Sequence, residues 1–205
     1  MAEPGARRVA IFPGAWNPPT IAHVSIARAA LSWADEVVWL LPERFPHKSF
    51  EGAPAADRQL MLRILAETEP RFSAAVSETN LHIEMARETL QTYGSGVEVG
   101  IICGRDAVER IATWDYGRPG VFEEMLAEHP LLVAARQGDY QPPPSLASRI
   151  QALHPQGNFD EVSSSEVRRM IASGDNWQRF VPRILVPHVA RAFGATLYTG
   201  DLSFQ

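Results

Sequence analysis

Short apolar runs alternate with longer amphipathic ones along nearly the whole chain. "RRVAIF" (7–12) and "EVVWLLP" (36–42) are continuous apolar runs with the length of strands buried on both faces. Between them Ile21, Val24 and Leu31, with alanines interposed, keep helical spacing through "TIAHVSIARAALSWA" (20–34). A loop over about 43–55 leads to a helix over 56–69, where Leu60, Met61, Ile64 and Leu65 share one stripe. "RFSAAV" (71–76) reads as a third strand, "IEMARETLQTYG" (83–94) as a helix ended by Gly94, and "VEVGIIC" (97–103) as a central strand with a helix over 105–114 straight after it. Past "VFEEMLAEH", "LLVAA" (131–135) is the next strand. Beyond a stiff "QPPPS" loop (141–145), "SLASRIQAL" (145–153) reads as a helix and "NFDEV" (158–162) as a weak strand. "SSEVRRMIASG" (164–174) reads as a helix opened by serines and closed by Gly174, and "PHVARAFG" as a final one.

Such alternation predicts an α/β fold: a Rossmann-like, doubly wound, mostly parallel sheet with helices on both faces. With 205 residues, 45% of them hydrophobic, the expectation is one domain over 1–205, its core about 8–198 and its ends, 1–7 and 199–205, flexible. No apolar run approaches the ~20 residues of a membrane span, and the N-terminus has too short an apolar stretch for a secretory signal, so a cytoplasmic protein without a membrane partner is expected. A formal charge of −5 argues against nucleic acid as a partner, although a few basic groups suffice for a small anion. Cys103, the single cysteine, lies in an apolar run and reads as a buried structural thiol. Oligomeric state is open, a homo-oligomer included.

In open sheets of this kind ligands bind beyond the carboxyl ends of the strands, so three junctions matter. In "PGAWNPPTIAH" (13–23) Gly14 lets backbone approach a ligand, two prolines stiffen the turn, Thr20 suits a helix cap, and His23 lies on the same side of the first turn. An exposed helix start there would seat a phosphate, while a capped helix with an incidental histidine accounts for the spacing equally well. In "SSSEVRR" (163–169) hydroxyls at a helix start followed by Arg168 and Arg169 could bind phosphate; a plain cap with a solvated arginine face is the alternative. In "CGRDAVERIATWDYG" (103–117) Asp106 could accept from ribose hydroxyls and Trp114 stack on a flat ring, or they could be a cap and a core residue. Neither G-x-G-x-x-G nor a P-loop is present.

In this order the pieces resemble the nucleotidyltransferase superfamily, and most closely the bacterial nicotinate-mononucleotide adenylyltransferases. Their [HT]-x-G-H signature is matched by "TIAH" (Thr20 to His23) and their late I-S-S-T-x-[IV]-R motif by "VSSSEVR" (Val162 to Arg168). Gly104, Asp106 and Trp114 match G-x-D followed by tryptophan, "FPHK" (Phe45 to Lys48) a loop of the P-P-H-[KR] type, and Arg136 an arginine after the next strand. Ala22 stands where the family has glycine, Thr20 is a known variant of histidine, and the S-Y-T-x-x-T-[LI] segment survives only as "EMARETL" (84–90).

The resemblance implies attack by the phosphate of a pyridine mononucleotide, nicotinate or nicotinamide, on the α-phosphorus of ATP, with pyrophosphate released. It casts His23, Thr20, Arg168 and Lys48 as catalytic groups. Gly14, Ala15, Trp16, Asn17, Gly104, Asp106, Ser164, Ser165 and Arg168 would bind ATP, and Trp114, Arg136, Thr89 and His47 the acceptor. Mg²⁺ is expected with ATP, held by phosphate oxygens and water, with no protein ligand assigned. The alternatives keep the fold but make it an adenylyl- or cytidylyltransferase, using ATP or CTP, for another phosphorylated acceptor, or make the chain a nucleotide-binding regulator without turnover.

Overall fold

The computed structural model describes residues 7–43, 52–105, 107–108, 111, 117–134, 141–142, 144 and 146–197. Six strands, β1 (Arg7–Pro13), β2 (Glu36–Pro42), β3 (Phe72–Ser77), β4 (Val97–Gly104), β5 (Leu131–Ala134) and β6 (Ile150–Leu153), form one sheet in the order β3-β2-β1-β4-β5-β6. Every neighbouring pair is parallel. The helices described are α1 (Ile21–Ala30), α2 (Ala55–Ala66), α3 (His82–Tyr93), α4 (Val121–Glu128), α5 (Ser164–Ser173) and α6 (Val186–Phe193). This is the strand order of the doubly wound Rossmann fold. None of these helices is long and apolar enough to cross a membrane.

The unbroken apolar runs of β1 and β2 follow from burial on both sides. Ala10, Phe12, Val37, Trp39 and Leu41 face one core, shared with α1, α2, α5 and α6. Val9, Ile11, Val38 and Leu40 face the other, shared with α3 and α4. Since side chains alternate along a strand, a strand covered on both faces has no position left for a polar residue.

Strand order reverses between β1 and β4, where β1 has been followed on one side by β2 and β4 by β5. Ile11 pairs with Ile101, so Gly14 and Gly104, each three residues further on, come level by register just where the two chains part. Crevices at such points are the ligand sites of open parallel sheets.

One stretch differs from the sequence expectation. "SLASRIQAL" does not continue as a helix: Ile150 N–H closes a single turn onto Leu146 O, and the chain then extends as β6 beside β5. Leu146, Ile150 and Leu153 have helical spacing, but Ile150 and Leu153 are the two buried ends of a four-residue edge strand. Pairing with β5 outweighs local preference. "NFDEV" correspondingly forms no strand; a turn at Asp160 and Glu161 leads into α5. The expected helix over 105–114 and the "QPPPS" loop fall partly, and the expected flexible ends almost wholly, outside the described residues.

Candidate active site

The loop from Gly14 to Thr20 joins β1 to α1 and is held from beneath by aromatic packing. Trp16, in a left-handed backbone conformation (φ 53°), turns its ring inward. Its Nε1–H donates to Leu40 O at 2.9 Å, and Gly14 N–H donates to the same oxygen at 3.1 Å. The ring packs edge-on against Phe12 and Trp39. A β-carbon on Gly14 would lie 2.8 Å from that indole, so the tight approach requires glycine. Trp16, expected at the nucleotide, thus gives the loop its floor, with its indole buried.

Thr20 is fully buried and is the N-cap of α1. Three residues on, His23 reaches back: its Nδ1 accepts from Thr20 N–H at 3.0 Å, with Thr20 Oγ1 at 2.9 Å. An imidazole thereby takes the place that glutamate or glutamine holds in a capping box. A ring nitrogen that accepts an amide N–H carries a lone pair, so in the neutral ring the hydrogen sits on Nε2. Trp16 flanks the imidazole edge-on at 5.2 Å between centroids. The result is a half-buried histidine with a fixed tautomer and orientation, able to present an N–H to an anion.

The late helix meets this loop. Ser163 caps α5 by accepting from Glu166 N–H at 3.1 Å. Ser164 Oγ donates to Pro18 O at 2.8 Å, and Arg168 Nη1 donates to Asn17 O at 2.7 Å while its Nη2 reaches Ser165 Oγ at 3.2 Å. Arg169, by contrast, pairs with Glu166 on the exposed face. The two stretches singled out in the sequence are therefore joined by direct hydrogen bonds. One of α5's two arginines faces the loop.

On the other side, α2 and its lead-in grip the same loop. Ala53 N–H donates to Asn17 Oδ1 at 2.9 Å, and Arg58 Nη1 donates to Ala15 O at 3.0 Å. Gly52, at φ 135°, passes so close to the Asn17 amide that a β-carbon would fall 2.5 Å from it. Burial lowers the Arg58 pKa from its ordinary value, yet a guanidinium stays charged at neutral pH. Sequence reasoning missed both residues. Arg58 reads there as an ordinary charged position on an amphipathic helix, and only the distance across 43 residues reveals its use.

Of the other expected site residues, Gly104 is exposed at the end of β4, level with Gly14. Thr89 is not brought to the loop; it is buried in α3, and its hydroxyl donates to Met85 O one turn back at 2.8 Å. His47, Lys48, Asp106, Trp114 and Arg136 lie outside the described residues. What is assembled is a set of hydrogen-bond donors, imidazole, hydroxyl and guanidinium, around two helix starts, an arrangement suited to phosphate.

Comparison with known proteins agrees with this geometry. Curated relatives named "Probable nicotinate-nucleotide adenylyltransferase" include one from Chloroherpeton thalassium, 27% identical over 90% of this chain and 95% of the relative. Another, from Neisseria meningitidis serogroup B, is 29% identical over 81% and 88%. Plasmodium falciparum nicotinic acid mononucleotide adenylyltransferase complexed with NaAD shares the fold, with a TM-score of 0.69 at 15% identity over 90% of this chain and 95% of that one. The cytidylyltransferase-like family model matches residues 11–170, from within β1 to within α5 and so across both halves of the site. The chain belongs to the cytidylyltransferase-like family of nucleotidyltransferases.

Proposed function

We propose that this chain is a nicotinate-mononucleotide adenylyltransferase, which transfers AMP from ATP to a pyridine mononucleotide and releases pyrophosphate. The observation that carries the reading is the meeting of α5 with the Gly14–Thr20 loop, which puts Ser164 and Arg168 on the carbonyls of Pro18 and Asn17 next to the Thr20–His23 pair. The relatives' names supply the acceptor.

A phosphate monoester is already nucleophilic at neutral pH, so the protein needs to align two anions and offset the charge that develops between them. The acceptor's phosphate oxygen forms a bond to the α-phosphorus as the bond from that phosphorus to the bridging oxygen breaks, and the electron pair leaves with pyrophosphate. His23 Nε2–H would donate to a non-bridging α-phosphate oxygen. The Thr20 amide and hydroxyl keep that nitrogen the donor. Arg168, with the serines at the α5 start, would meet the β- and γ-phosphates, and Lys48 would close over them. Asp106 and Gly104 would hold the adenosine, and Trp114, Arg136 and His47 the acceptor.

Mg²⁺ entering with ATP would neutralise part of the phosphate charge. A guanidinium and an imidazole N–H donate to phosphate and cannot ligate a hard cation, while the Ser164 and Thr20 hydroxyls are engaged within the protein. The ion would be held chiefly by phosphate oxygens and water.

The test is to incubate the purified protein with ATP and Mg²⁺, supply nicotinate or nicotinamide mononucleotide in parallel, and quantify pyrophosphate and dinucleotide. Turnover favouring the nicotinate substrate is expected. No pyrophosphate with either would reject the reading, and product only with CTP or a non-pyridine acceptor would replace it.

A further inference from the structure

Arg58 is the only arginine among the described residues that is less than a tenth exposed, at 7%. It stands at the start of α2, and its Nη1 donates to a backbone carbonyl of the nucleotide loop, Ala15 O. That contact has a directional consequence. The peptide between Ala15 and Trp16 is trans, and a planar trans peptide sets its N–H opposite its C=O. With the Ala15 carbonyl drawn towards α2, the Trp16 N–H is turned to the far side of the loop.

Few amides in this loop can serve a ligand. Gly14 N–H is taken by Leu40 O and Thr20 N–H by His23 Nδ1, while Pro18 and Pro19 have none. Trp16 N–H is therefore one of the few donors left to meet a phosphate. Its direction is set from outside the loop, because the indole of the same residue is locked on Leu40 O. Ala53, in the lead-in to α2, holds the Asn17 side chain, so α2 and its lead-in fix the residues on either side of Trp16.

The geometry points to Arg58 as a positioning residue for nucleotide binding: it orients the Ala15–Trp16 peptide so that the Trp16 amide faces the phosphates of the bound nucleoside triphosphate. The inference rests on the proposed function for the identity of that nucleotide.

The test uses the full chain as wild type, Arg58→Met and Arg58→Lys. Binding of Mg²⁺-ATP without acceptor is measured by calorimetry, KM by steady-state kinetics for ATP and acceptor separately, and folding by thermal melting. Arg58→Met should weaken ATP binding and raise the ATP KM roughly tenfold, the equivalent of one lost hydrogen bond, with the acceptor KM unchanged. Arg58→Lys, which keeps one donor, should recover part of that loss. Unchanged ATP affinity in Arg58→Met overturns the assignment. So does a loss shared equally by ATP and acceptor, since an arginine that merely supports the fold would loosen both. If Arg58→Met does not fold, Arg58→Lys decides by the same split, at a smaller fold-change. A wild-type chain that binds ATP but turns over no pyridine mononucleotide would undo the functional reading, and the calorimetry would still judge Arg58.

Discussion

Replacing Arg168 with methionine separates its two roles, clamp and phosphate ligand. The substitution keeps the length and apolar stem of the side chain but removes the 2.7 Å hydrogen bond to Asn17 O and the 3.2 Å one to Ser165 Oγ. A hydrogen bond from a charged donor contributes ~1.5–3 kcal/mol, and because Arg168 is half-buried, water can replace part of it, so the lower end, about 1.5 kcal/mol, applies to stability. For a chain of this size that corresponds to a fall in Tm of roughly 3–6 °C. The Ser164 hydroxyl holds the neighbouring carbonyl, at 2.8 Å, through a neutral bond of about 1 kcal/mol, so Ser164→Ala should cost less. The double variant should cost less than the sum, because both contacts hold one loop. Function adds a second quantity: if the guanidinium also meets the β- and γ-phosphates, the ATP KM should rise roughly 10- to 100-fold beyond what Ser164→Ala produces. Melting curves and ATP titrations on the three variants provide both numbers. A lowered Tm with unchanged ATP parameters would refute the phosphate role, and an unchanged Tm would refute the clamp.

His23→Ala should lower kcat by ~10²–10³ or more while lowering Tm by only a few degrees, since it removes one capping hydrogen bond of about 1 kcal/mol; turnover within tenfold of wild type would remove His23 from the mechanism. His129 is buried, its Nδ1–H donating to Val99 O at 3.1 Å, and burial pushes its pKa below the usual imidazole value. The unfolded chain binds a proton near pH 6.5 where the folded chain does not, so stability should fall as pH drops below ~6.5 towards the depressed folded value. Urea titrations across that window should show a shallower fall in His129→Asn, and an equal slope in both proteins would assign the acid loss elsewhere. Burial also pushes the Cys103 thiol up to about 12, so a thiol reagent should label it only after denaturation. Prompt labelling of the native protein would contradict the packing of β4.

Strands β1, β2, β4 and β5 were legible because burial on both faces leaves a nearly unbroken apolar run, a signal that needs no partner to be recognised. The strand β6 was not, since Leu146, Ile150 and Leu153 fit a helical stripe and the deciding contact, pairing with β5, is non-local. The site divides the same way. Thr20 and His23 interact within one turn, so their spacing betrays them. The inward turn of the Trp16 ring was not legible, because a lone aromatic after a glycine carries no mark of which way its side chain packs. Arg58 and Ala53 act on carbonyl and amide groups, which every residue possesses, so nothing in the loop's composition announces their grip. Thr89 looked available as a hydroxyl, but a helical threonine can return its proton to the preceding turn.

The clasp between the first loop and the last part of the site spans 146 residues from Pro18 to Ser164 and 151 from Asn17 to Arg168. At a synthesis rate of ~5–20 residues per second, roughly 7–30 s separate the appearance of the two halves during translation. Through that interval the growing chain can pair β1 with β2 and β4, yet the loop lacks the α5 contacts to the Asn17 and Pro18 carbonyls. A ligand that needs both halves stabilises the finished fold and no earlier stage of it. Nucleotide binding is then a report on completion: a nascent or truncated chain that stops short of α5 would keep most of the sheet and the His23 imidazole, but not the clasp that closes the cradle.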